Sequence, residues 1–185
     1  MHAQRRHPER RVAAVPLART YNPVNRQTTV VFGPPAFLDT QAGRQALRRF
    51  DYELAARIGG LVEIQAPHVV SGLLYLRCLH GLGAPVNLVA LTTAARRVFD
   101  GLPHRHVAPD VKDNMAGAVR DTVRYLWRRG MLRVEGEMIV PNVSRILSVP
   151  PLDTRYGKRN PVKYLVNQVL HLPEVTALLE EMYRS

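Results

Sequence analysis

Fourteen consecutive residues, His68 to Gly81 (HVVSGLLYLRCLHG), are apolar on nearly every side of a helix and follow directly on Pro67. A helix needs roughly 20 apolar residues to cross a bilayer, and no stretch of this chain reaches that length. The segment therefore belongs at the centre of a small core, with Gly81 ending it and other elements packed around it. At 185 residues the chain is long enough to build such a core. Hydrophobic residues make up 46% and charged residues 22%, which is the composition of a globular chain rather than a disordered one.

Around that centre the pattern changes period several times. VAAVPLARTY (12–21) and TTVVF (28–32) are rich in β-branched residues and are separated by Asn22-Pro23, so they read as two short strands, with Gly33-Pro34-Pro35 stopping the second. From Thr40 to Ile58, Ala46, Leu47, Phe50, Leu54, Ala55 and Ile58 recur at helical spacing between arginines, predicting an amphipathic helix closed by Gly59-Gly60. Beyond the central helix, Asn87 is placed to cap a helix whose stripe is Leu88, Leu91, Ala95 and Phe99. After the loop LPHRHVAPD, Asp110 is expected to cap a longer helix. In it Val111, Met115, Val119, Val123, Leu126 and Trp127 face inward, while Lys112, Arg120, Arg124 and Arg128 line another side. Gly130 ends that helix. MLRV (131–134) and MIVP (138–141), joined by Glu135-Gly136-Glu137, then form a hairpin. Helix, helix, helix, hairpin is the order of a winged helix. After Pro150-Pro151 and the basic connector LDTRYGKRNP, a last helix starts after Asn160-Pro161 and runs VKYLVNQVLHLPEVTALLEEMYRS with a kink at Pro173. The expected fold is thus α+β and mainly helical: short N-terminal strands, then a helical bundle with a winged-helix-like small hairpin. The segments are 1–39, a basic arm and strands; 40–149, a helical domain with the hairpin; and 150–185, a basic connector and C-terminal helix.

Charge narrows the function. Lys and Arg total 26 against 15 Asp and Glu, a formal +11, so the surface attracts anions: nucleic acid, phospholipid headgroups or phosphorylated metabolites. A single cysteine, Cys78, excludes an internal disulfide and cysteine-built zinc sites and suits a reducing compartment. In the N-terminal segment Pro16 and Arg19 interrupt any apolar signal core, so the expected location is the cytoplasm. The cluster Arg5, Arg6, Arg10 and Arg11 reads as a frayed terminus.

No complete catalytic constellation emerges. His104 and His106, two apart, with Asp110 nearby, have metal-compatible spacing, but no second ligand cluster supports them, and an ordinary surface loop is the simpler reading. His68 and His80 bracket the apolar helix in structural or capping roles, and His171 on the last helix is read the same way. Gly-rich phosphate loops, serine elbows and helical zinc pairs are missing, so no metal or cofactor is expected. The anion-facing candidates are Lys112, Arg120, Arg124 and Arg128 on the long helix, whose spacing aligns cations along one face, together with Arg155, Lys158 and Arg159 in the connector. Asp113 and Asp121 dilute the stripe. The nine-residue loop is also much longer than the roughly 3–4-residue turn of a DNA-reading helix-turn-helix.

The order of these pieces resembles one family. VPLARTY followed by TVVFGPPAFLD looks like the last strands of a glycerolipid acyltransferase domain. FDYELAARIGGLVEIQAPHVVSGLLYL is similar to the segment that follows in bacterial glycerol-3-phosphate 1-O-acyltransferases. RDTVRYLWRRGMLRVEGEMIVP resembles their next helix and hairpin, and YLVNQVLHL their Tyr- and Asn-containing helix with a His after it. The resemblance runs from about Val12 to Leu179. It implies that residues 1–39 close an acyltransferase-like domain and that the chain is the C-terminal portion of an enzyme of phospholipid biosynthesis, peripheral to the inner face of the cell membrane. An anionic membrane surface would be its partner, and acyl-CoA or acyl carrier protein would be bound only when a catalytic half is joined to it. The family's general-base motif is absent: no histidine here has Asp at the fifth residue after it. The Phe-Pro-Glu-Gly and Arg-Arg phosphate motifs are missing too, and Asn22 replaces the Glu that often follows the Val-Pro strand. Two other classes fit the residues. One is a winged-helix nucleic-acid-binding protein using residues 110–129 and the hairpin; the other is a partner-binding helical domain using the exposed Leu and Met positions of the last helix.

Overall fold

The computed structural model describes residues 13–37, 44–103, 107–108, 111, 113–149 and 159–183. Among the described residues the fold is mixed α+β, dominated by seven helices, with short antiparallel N-terminal strands and one three-stranded sheet. Two compact units divide the chain, one of Met1–Tyr21 and Thr28–Val62, the other of Asn22–Gln27 and Glu63–Ser185.

In the first unit, β1 (Ala13–Ala14) pairs antiparallel with β4 (Ala36–Phe37), and β2 (Leu17–Asn22) pairs with β3 (Gln27–Phe32). The turn between β2 and β3, Asn22–Gln27, is counted with the second unit and is set by two asparagines. Asn22 Oδ1 accepts from Val24 N at 2.9 Å and Asn25 Oδ1 from Gln27 N at 3.0 Å, which lets Arg26 sit at φ +60°. Gly33 N donates to the Pro16 carbonyl at 2.8 Å, and a Cβ at Gly33 would meet Pro16 Cγ at 2.8 Å. That close approach is why the strand stops on glycine. Helix α1 (Arg44–Gly59) forms close to where the periodicity places it, but Gly59 is its one buried residue. Leu47, Phe50 and Leu54 are only half-buried, and Ala46, Ala55 and Ile58 are exposed.

The second unit is organised on α2 (Ala66–Leu79). Val69, Val70, Leu73, Leu74, Leu76 and Cys78 are all buried, and Gly81 closes the helix at φ +75°. Around it pack α3 (Leu88–Gly101), α4 (Met115–Arg128), α5 (Val143–Leu147), α6 (Pro161–Asn167) and α7 (Pro173–Met182). Gly72 lets α7 approach closely, for a Cβ there would lie 2.7 Å from Leu179 Cδ1. The predicted cap at Asn87 forms, its Oδ1 accepting from Val89 N at 2.7 Å. Strands β6 (Leu132–Glu135) and β7 (Met138–Pro141) make the hairpin, and its turn places Gly136 at φ +62°. A third strand, β5 (Val86–Asn87), pairs with β7, giving the order β5-β7-β6. Helix, strand, helix, helix, then two strands, with the first strand beside the last, is winged-helix topology.

Three expectations are corrected. Helix α4 is capped by Asn114, whose Oδ1 accepts from Gly117 N at 3.2 Å, and it starts at Met115; Asp110 lies outside the described residues. Trp127 does not face inward: it is 53% exposed. The C-terminal helix is not one kinked rod. α6 ends at Asn167 and α7 begins at Pro173, because the proline ring cannot donate to the preceding turn and its fixed φ starts a new helix instead.

Candidate anion-binding face of the winged helix

Helix α4 turns Met115, Val119, Thr122, Val123 and Leu126 into the core. That leaves Arg120, Arg124, Trp127 and Arg128 exposed, consistent with their spacing along the opposite side. The predicted cationic stripe is present here, with an aromatic ring among the guanidinium groups. Trp127 follows Arg120 by seven residues and Arg124 by three. That spacing was the sequence signal of its outward position, overridden by its apolar character. Of the other candidates, Arg159 is exposed just before α6, whereas Lys112, Arg155 and Lys158, like His104, His106 and Asp110, lie outside the described residues. Arg5, Arg6, Arg10 and Arg11 lie outside them as well. The structure brings Arg120, Arg124 and Arg128 onto one helix and keeps Arg159 on a separate element.

Acidic groups interrupt the face. Asp121 accepts from Arg124 Nη1 at 3.5 Å, and Glu135 lies 3.8 Å from Arg133 Nε on the hairpin. Both pairs are well exposed, so each contributes little and salt screens it. Glu135 and Glu137 flank the hairpin turn and are exposed. A cavity of about 480 Å³ lies where α3 and α4 meet the hairpin, lined by Arg96, Arg120 and Glu137 with Thr92 and Thr93.

Two of the described histidines take part in packing at the ends of α2. His68 is fully buried, and its Nδ1 accepts from Gln65 N at 3.0 Å, closing the first turn of α2. Burial pushes its pKa down to about 4, and the Gln168 side chain opposes that fall only in part; by geometry Nε2 has no hydrogen-bond partner. His80, at the other end of α2, stacks on Tyr183 with ring centroids 4.7 Å apart and 12° between planes. His171 is exposed. No described histidine hydrogen-bonds a carboxylate, and among the described residues no three His, Cys, Asp or Glu side chains cluster as metal ligands. Burial pushes the Cys78 thiol up to about 11, against the opposing pull of Arg77. What this arrangement can do is hold anions; among the described residues no histidine is paired with a carboxylate as a poised base.

None of the described helices is long and apolar enough to cross a membrane. Comparison with protein-family models, curated proteins and solved structures found no match to this chain.

Proposed function

We propose that the chain corresponds to the C-terminal region of a bacterial glycerol-3-phosphate 1-O-acyltransferase of phospholipid biosynthesis. In this reading it is an accessory body whose cationic exterior meets the anionic inner face of the cell membrane. The bond-making groups, and the acyl-CoA or acyl carrier protein that donates the chain, belong to a catalytic half joined to it. The observation that carries the reading is the order of elements. A hairpin ends at Gly33-Pro34-Pro35, and an arginine-rich helix and a buried helix follow. Then come a helix with its hairpin, and α6 with Tyr164 and Asn167, His171 lying beyond it. This order is what supports the reading. Basic side chains near an anionic leaflet contribute about 1 kcal/mol each, so a handful of the 26 suffices for peripheral attachment.

Vesicle co-sedimentation tests the membrane role. The chain is expected to pellet with phosphatidylglycerol vesicles at low salt, release as salt rises, and stay in solution with purely zwitterionic vesicles. Equal recovery in the supernatant with both would remove it. Acyl transfer from acyl-CoA to glycerol 3-phosphate by this chain alone is expected to be undetectable, and measurable turnover would overturn the accessory reading. The family assignment is tested in the neighbouring coding sequence, where a catalytic half with the His and Asp pair is expected.

A second reading, nucleic-acid binding, is favoured by the winged-helix topology with Arg120, Arg124, Trp127 and Arg128 turned outward from α4. Against it stand Glu135 and Glu137 at the tip of the wing, where a phosphate backbone would pass, and the Asp121–Arg124 pair. It predicts duplex binding with a steep salt dependence that shallows when Arg120, Arg124 and Arg128 become Ala. Duplex affinity indifferent to those three changes removes it.

A further inference from the structure

A second cavity in the winged-helix unit has no residue of α4 in its lining. It measures about 570 Å³ and is enclosed by α2, the β5–α3 corner and the end of α7. Its walls are aliphatic, with Leu73, Val86, Leu91 and Met182 prominent, and two guanidinium groups reach it, those of Arg77 and Arg97. No acidic residue lines it.

The two arginines are differently prepared. Arg77 is fixed: its Nη1 donates to the Tyr183 carbonyl at 3.1 Å, while its Nε is buried without a partner. Arg97, one face of α3 away from the core, is exposed, and no hydrogen bond or ion pair ties it to another described residue. The Arg97 guanidinium, which has no partner among the described residues to give up, is therefore the group that an anion in the cavity would engage first. Charge-assisted bonds to a guanidinium are the stronger kind and favour carboxylate and phosphate geometry. The volume falls within the roughly 300–1,000 Å³ usual for small-molecule sites, which are mostly apolar with a few converging polar groups.

We propose that this cavity binds an amphiphile with one anionic head, its apolar chain along the aliphatic wall and its head held by Arg97 and Arg77. Carboxylate and phosphate heads share the required chemistry. The site stands on the cavity's own lining and does not depend on the acyltransferase reading.

Calorimetric titration of the full chain with decanoate and with decyl phosphate, both kept below their micelle thresholds, tests it and distinguishes the two heads. Saturable binding of at least one is expected, with decanol and inorganic phosphate each much weaker. Arg97→Ala, at an exposed position that the fold does not need, is expected to weaken the bound amphiphile about tenfold. Ala94→Trp, which fills the cavity from α3, is expected to abolish binding, while salt-dependent attachment to phosphatidylglycerol vesicles stays intact. Absence of saturable binding for both amphiphiles overturns the site, as does decanol binding equally well. Unchanged affinity in Arg97→Ala overturns it even where the tryptophan variant fails to fold.

Discussion

His68 is a neutral imidazole held in a dry helix start, and this gives the molecule a pH dependence with a definite sign. Its folded pKa, about 4, lies below the ordinary 6.5. As pH falls from 6.5 toward 4 the unfolded chain therefore takes up a proton that the folded chain refuses, and stability drops; above 6.5 the contribution is fully present. At about 1.4 kcal/mol per unit the difference amounts to roughly 3 kcal/mol. Urea unfolding at pH 7 and pH 4 should show the wild type losing more stability than His68→Asn, which has no imidazole to protonate. Equal losses would mean that burial does not hold the ring neutral. Cys78 follows the same logic with the opposite charge: a thiol pushed up to about 11 is overwhelmingly protonated at pH 8. It should resist a disulfide reagent in the native protein and react at once in denaturant, so rapid native labelling would contradict its burial.

Between elements, Asn160 is the residue with most at stake. It is fully buried, and its Nδ2 faces the carbonyls of Arg145, Ile146 and Ser148 at 3.2, 3.0 and 2.9 Å. Its Oδ1 caps α6 by accepting from Lys163 N at 3.0 Å. One amide thus satisfies the C-terminal end of α5 and the N-terminal end of α6. Asn160→Ala should cost about 3 kcal/mol in chemical denaturation, by stranding those carbonyls in the interior. Asn160→Asp keeps the cap but sets a carboxylate against three carbonyl oxygens, so it should be at least as damaging; a milder Asp variant would show that the cap alone matters. This latch was not legible in the sequence, where Asn160-Pro161 marks only a helix start and its partners lie 12 to 15 residues earlier. Elements whose signal is local were legible: α2 from its unbroken apolar run, α3 from Asn87, and the hairpin from Glu135-Gly136-Glu137. Elements defined by pairing were not. Val86 and Asn87 are a strand only because Ile139 and Met138 lie opposite them. The cationic stripe was readable from its spacing, but the Arg77–Arg97 cavity was not, because it joins α2, α3 and α7 across more than a hundred residues.

At the scale of the molecule, the apolar surface is buried unevenly between the two units. The unit centred on α2 seals a continuous core. Among the described apolar residues of the N-terminal unit, the buried ones are small, Ala18, Ala36 and Pro16, while Val15, Val30, Phe32, Phe37 and Tyr52 are exposed. Two-stranded sheets gain too little burial to be stable alone, and a helix with one buried residue takes little support from packing. Opening of this unit should therefore be much easier than global unfolding. Arg44, Arg48, Arg49 and Arg57 place trypsin sites along exposed α1, whereas Arg77 lies half-buried on the central helix and Arg120 on the well-packed α4. Among these sites, brief digestion should cut within 44–57 well before Arg77 or Arg120. Amide exchange should report the same order, with α1 exchanging well before α2. Early cleavage at Arg77 or Arg120, or matched exchange in α1 and α2, would mean that the N-terminal unit shares the stability of the core. Under the acyltransferase reading the weak unit is also the one that continues into the catalytic half. Adding that half should then protect the α1 sites from trypsin while leaving exchange in α2 unchanged.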